Sequence, residues 1–68
     1  MAIQVRLNGE LRELPDGLTV ETLLSHLGVK AARVAVEVNE VVVTKDRYAA
    51  HRLSAGDSIE LVAFVGGG

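Results

Sequence analysis

The stretch Leu18 to Gly28 constrains the architecture more than any other part of the chain. Thr19 has the side chain of a helix N-cap, and Leu18 before it is placed to staple onto Leu23 inside the helix. Val20, Leu23, Leu24 and Leu27 recur at i, i+3, i+4 and i+7, which predicts a helix with one apolar stripe. Glu21 complements the positive end of the helix dipole, and Gly28 stands where a left-handed C-cap ends such a helix. A single helix with one apolar face must bury that face against a sheet.

The flanking segments supply the strands. Ile3, Val5 and Leu7 alternate with Gln4 and Arg6, the period-two pattern of a strand with one buried face. Asn8-Gly9 predicts a type I′ hairpin turn, because both central positions need positive φ. Glu10 to Leu14 returns as the second strand, with Leu11 expected in the core, and Pro15-Asp16-Gly17 closes it. After the helix, Val34, Val36 and Val38 alternate with Ala35 and Glu37. Asn39-Glu40 predicts a two-residue turn, with Glu40 an uncomfortable occupant of a positive-φ site. Val41 and Val43 then pair back on the face of Val38 and Val36.

Thr44 to Arg52 reads as a connection with a short helical turn, in which Tyr48 or Leu53 plugs one end of the core. Ala55-Gly56-Asp57 is a turn, and Ser58 to Val65 the last strand. That strand has Ile59, Leu61 and Ala63 on one face and Glu60, Val62 and Phe64 on the other. The order β-β-α-β-β-β leaves one sheet face without a helix.

A chain of 68 residues is one domain, and its 49% hydrophobic content serves the dense core that so short a chain needs. One Phe, one Tyr, no Trp and a net charge of −2 argue against nucleic acid as a partner. With no cysteine, the chain has neither disulfides nor thiolate chemistry of its own. The N-terminus lacks the pattern of a signal peptide and no apolar run reaches membrane-spanning length, so a soluble cytoplasmic domain is expected, a monomer when free.

The sequence closes on Phe64-Val65-Gly66-Gly67-Gly68. Three glycines bury nothing and lose the most backbone entropy on ordering, so residues 66–68 are expected to form a flexible tail after a domain of residues 1–65. Such a strip extends roughly 10 Å and fits a tunnel too narrow for any side chain. Val62 and Phe64, exposed beside the tail, are expected to dock a partner together with Val65, and Val42 and Ala35 to extend that patch.

Other residues have plainer roles. His26 and His51 have no companion ligands at metal spacing, so no metal site is expected. Asp16, Asp46 and Asp57 lie in turns, where Asp bonds local backbone. Ser25 and Ser58 have no base beside them, and no phosphate-cradling glycine loop is present. Lys30, Arg33, Arg47 and Arg52 are read as a solvated charged face, with steering of an acidic partner surface the alternative.

Three stretches together resemble a known family. These are Val36-Glu37-Val38-Asn39-Glu40-Val41-Val42-Val43 with the Lys45–Tyr48 segment, Ala55-Gly56-Asp57-Ser58-Ile59-Glu60-Leu61, and Phe64-Val65-Gly66-Gly67-Gly68. With the strands and helix around them they resemble the ubiquitin-like β-grasp fold and, more narrowly, the ThiS family of sulfur carriers in thiamine biosynthesis. The resemblance implies an α+β fold with a mixed sheet and one covering helix.

It also implies a mechanism. An adenylating enzyme of the ubiquitin-activating kind uses ATP to activate the terminal carboxylate, here that of Gly68, and Gly66 and Gly67 present it. A donor protein's persulfide supplies sulfur, giving a thiocarboxylate that thiazole synthase consumes. The chain would then bind no cofactor and catalyse nothing itself. Many members carry a bulkier aromatic where this chain has Tyr48, a variation in packing. A molybdopterin-synthase small subunit and a ubiquitin-like modifier or interaction domain are the alternative functions.

Overall fold

The computed structural model describes residues 1–64. Five strands and one helix follow in the order β1 (Ala2–Leu7), β2 (Glu10–Pro15), α1 (Val20–Leu27), β3 (Val34–Val38), β4 (Val41–Val43) and β5 (Ser58–Ala63). Short 3-10 turns at Ala31–Arg33 and Lys45–Arg47 sit in the connections. The strands form one sheet in the order β2-β1-β5-β3-β4. Among the described residues only β1 and β5 run parallel, so the sheet is mixed, and β5 lies at its centre.

Both hairpins turn as their residues dictate. Asn8 and Gly9 have φ of 51° and 84°, and Asn39 and Glu40 have φ of 52° and 67°. Asparagine tolerates this region far better than glutamate does, so Glu40 carries backbone strain.

The helix is closed at both ends. The N–H of Thr22 donates to Thr19 Oγ1 at 3.2 Å, and the N–H of Thr19 donates to Thr22 Oγ1 at 2.7 Å, a reciprocal capping box. The next two amides turn to the long connection: Val20 N–H donates to the His51 carbonyl at 2.9 Å and Glu21 N–H to the Tyr48 carbonyl at 3.0 Å. The free donors of the first turn are therefore filled by the chain itself. At the other end Gly28 adopts φ 73°, and its N–H and that of Val29 return to the Ser25 and Leu24 carbonyls.

The core lies between α1 and one sheet face. Val20, Leu23 and Leu24 of the helix join Val5, Leu7, Leu14, Val34, Val36, Val38, Val43 and Ile59 of the sheet in one buried cluster. Tyr48 and Leu53 are both buried, so the two expected plugs act together. Leu18 and Leu27 pack at the edge of this cluster. Each fully buried Leu, Ile or Val stabilises by about 1.5–3 kcal/mol.

Three sequence expectations need correction. Leu11 is 62% exposed, and Leu14 is the core residue of β2. The register explains this: Leu14 faces inward-pointing Ile3, whereas Leu11 faces Arg6, between the buried Val5 and Leu7. The last strand ends at Ala63 rather than Val65, and Ala63 is exposed although it shares a face with buried Ile59. Val41 pairs with Val38 as expected, yet it is 65% exposed because β4 is the sheet edge.

Candidate functional site

Val62, Ala35 and Val42, three of the residues expected to meet a partner, lie on the sheet face opposite the helix. β5 alternates across the sheet, with Ile59 buried and its neighbours Ser58 and Glu60 exposed. That alternation puts Val62 on the uncovered face, 55% exposed. Phe64, immediately beyond the strand, is 59% exposed and donates its N–H to the Arg33 carbonyl at 2.8 Å. Val42, 64% exposed, stands on the same face two strands away, and half-buried Ala35 pairs directly with Val62. Val62, Ala35 and Val42 thus share one face. Val65 of the expected patch, and Gly66, Gly67 and Gly68 of the expected tail, lie outside the described residues.

Charge on this face is arranged unfavourably for stability. Glu37 of β3 pairs across to Glu60 of β5 and, on its other side, to Val42 of β4. Like charges directly opposite one another destabilise an antiparallel pair. The outer face therefore combines exposed valines with two adjacent carboxylates.

Sequence reading missed the residues that hold β5. Asn8 donates its main-chain N–H to the Ile59 carbonyl at 2.9 Å, and its side-chain Oδ1 accepts from Leu61 N–H at 2.8 Å. Asn39 donates its N–H to the Ser58 carbonyl at 2.7 Å, and its Oδ1 accepts from Ser58 N–H at 2.9 Å. Each hairpin asparagine grips the central strand with backbone and side chain together. Asp57 completes the lower anchor, accepting from Asn39 Nδ2 at 3.0 Å and from Ser54 N–H at 2.8 Å. The available signal was the asparagine itself: glycine makes the same turn, but only a side-chain amide can also bond a neighbour.

Other candidates do not converge. Among the described residues no three His, Cys, Asp or Glu side chains stand close enough to share a metal ion. His51 lines an open groove with Val41, Val42, Thr44 and Arg47, on the β4 side of the sheet. Arg33 lies beside the end of β5 through its carbonyl bond to Phe64, whereas Arg52 meets the start of the helix in a bridge to Thr19. No helix among the described residues is long and apolar enough to cross a membrane.

Comparison with known proteins bears directly on this geometry. The model of the ThiS family matches residues 5–68, nearly the whole chain. A thiazole synthase of Paramagnetospirillum magneticum is 48% identical over 62 residues, 91% of this chain. The chain spans about a fifth of the length of the first curated relatives it matches, 19% and 20% of two thiazole synthases. The sulfur carrier protein ThiS of Bacillus subtilis is 37% identical over 94% of this chain and 98% of its own length. The crystal structure of a thiamine biosynthesis protein, ThiS, from Geobacter metallireducens superposes with a TM-score of 0.85 at 33% identity, covering 97% of this chain and all of that one. The strand order, the single helix and the central β5 are therefore those of a ubiquitin-like β-grasp domain, and the chain belongs to the ThiS family.

Proposed function

We propose that the chain is a sulfur carrier that serves thiazole formation in thiamine biosynthesis, with Gly68 as the residue that bears the sulfur. The observation that carries this reading is the family match, which runs from Val5 through the glycine run to Gly68. The similarity to carriers named ThiS and to thiazole synthases points to the same pathway and to thiazole synthase as a partner.

The chemistry follows from the inertness of a carboxylate, whose oxide is a poor leaving group. A partner enzyme supplies activation: the Gly68 carboxylate attacks the α-phosphorus of ATP and pyrophosphate departs. The terminal sulfur of a donor protein's persulfide then attacks the acyl carbon and displaces AMP. A second thiol of the partner then attacks the donor-side sulfur of the resulting acyl disulfide, forming a disulfide with it as the thiocarboxylate leaves. Such steps need the reacting atoms held about 3–3.5 Å apart, and a glycine end has no side chain to obstruct that approach. The absence of cysteine keeps competing thiols away from the activated acyl group. ATP and the catalytic groups belong to the partner; the chain is a co-substrate. Val62 and Phe64, with Val65, form the docking handle beside the tail.

Co-expression with an adenylating enzyme and a persulfide source, followed by mass measurement, tests this. The C-terminal peptide should gain the mass difference between sulfur and oxygen. A ladder of isopeptide-linked proteins would point instead to a modifier, and rescue of molybdopterin auxotrophy alone to the other carrier class.

A further inference from the structure

We propose that Asn8 is a positioning residue for the tail: its side-chain amide supplies the last rung that fixes β5 on the β1 side. The proposal rests on the carrier reading above. Residues of β5 face β1 at only two register positions, Arg6 with Ser58 and Leu7 with Ile59. In a parallel ladder the next residue of β1 gives its N–H to Ile59 and its carbonyl to the N–H of Leu61. Asn8 does the first at 2.9 Å. It does not do the second with its backbone, because its φ of 51° starts the hairpin turn toward β2.

The side chain takes over. Asn8 Oδ1 accepts from Leu61 N–H at 2.8 Å, and Nδ2 donates back to the Leu61 carbonyl at 3.4 Å. The ladder is thereby extended by one rung although the strand has ended. Among the described residues no further bond reaches β5 from this side. From Val62 onward the strand is held by β3 alone, through the Ala35 and Val34 pairings and the Phe64–Arg33 bond. Without the Asn8 amide, one-sided attachment would begin at Glu60. The described residues that lead toward Gly68, Glu60 to Phe64, would then be held by β3 alone, and the start of the path to a partner's reaction centre would be less firmly fixed. Positioning errors of this kind lower reaction rates strongly.

Two requirements meet at Asn8. The turn needs a residue that tolerates positive φ, and the rung needs a carbonyl at the end of a short side chain. Glycine meets only the first, and aspartate meets both because its carboxylate also accepts. Asn8→Gly and Asn8→Asp therefore separate the rung from the turn.

The experiment uses the full chain in both variants, with amide exchange followed by NMR and adenylation followed as pyrophosphate release with the adenylating enzyme. In Asn8→Gly, exchange at Leu61 should quicken about tenfold, with β2 and α1 unchanged. Its kcat/KM for adenylation should fall about tenfold, mostly through kcat, and Asn8→Asp should restore both to within about twofold. Wild-type exchange at Leu61 in Asn8→Gly would overturn the anchor. Faster exchange throughout the domain would make the role global rather than local and would also overturn it. Faster Leu61 exchange with wild-type kcat would overturn the positioning role. If the wild-type chain is not adenylated at all, the carrier reading fails, and with it the positioning role, while exchange at Leu61 still decides whether the anchor exists.

Discussion

At the scale of single residues, the clearest contrast lies between two leucines three positions apart in β2. Leu14 is 2% exposed inside the core, and Leu11 is 62% exposed on the outer face. Leu14→Ala should destabilise by about 2–5 kcal/mol, because it removes apolar volume from a closed cluster. Leu11→Thr should change stability by less than about 0.5 kcal/mol. Urea titration of both variants checks the pair, and comparable losses would refute the register. The information to place them was in the sequence. A two-residue turn at Asn8-Gly9 sets Leu7 opposite Glu10, hence Arg6 opposite Leu11 and Ile3 opposite Leu14. Hydrophobicity alone pointed to the nearer leucine, and the turn corrects it.

At the scale of elements, the two hairpins differ in how well their residues suit them. Glu40 has φ 67° where glycine is at home. Glu40→Gly should stabilise by roughly 1 kcal/mol through relief of that strain, and raise Tm by about 4–8 °C in a thermal melt. A lower Tm would mean that the Glu40 side chain contributes something that offsets the strain. Gly28 makes the converse case. A Cβ built there meets nothing within 4 Å, so the effect of Gly28→Ala isolates the backbone term of φ 73°. The expected loss is about 1–2 kcal/mol, read from the same melt.

The elements themselves were legible because each carries its own punctuation: cap, stripe and C-cap for α1, alternation and turn residues for the strands. The end of β5 was not. An apolar run continues from Leu61 to Val65 in the sequence, but the strand stops where its partner β3 begins, at Val34 opposite Ala63. A strand's length depends on its neighbours, which local pattern does not record. The side-chain rungs of Asn8 and Asn39 were hidden for the same reason, since each bonds a strand remote in sequence.

At the scale of the whole molecule, the sheet divides the labour. One face, under α1, carries stability. The other carries Val62, Val42 and the Glu37–Glu60 pair, with Phe64 exposed at the end of β5. Val62→Asp should therefore leave Tm within a few degrees of wild type while weakening adenylation by about tenfold or more, as expected for an interface anchor. Parallel melts and pyrophosphate assays check this, and full activity would place docking elsewhere. That Val62 faces away from the core was legible in the alternation along β5, and the structure places Val62, Val42 and Ala35 on one face. The chemistry assigned to Gly68 had a different source, the family likeness, since no pattern of periodicity or charge names sulfur. The measurement that bears on it most directly is the mass of the C-terminal peptide after incubation of the chain with the adenylating enzyme, ATP and a persulfide donor. A sulfur-for-oxygen mass increase confined to the peptide that ends in Gly68, and lost when Gly68 is removed, is the predicted result. An unchanged peptide under conditions that charge an authentic ThiS carrier would contradict it.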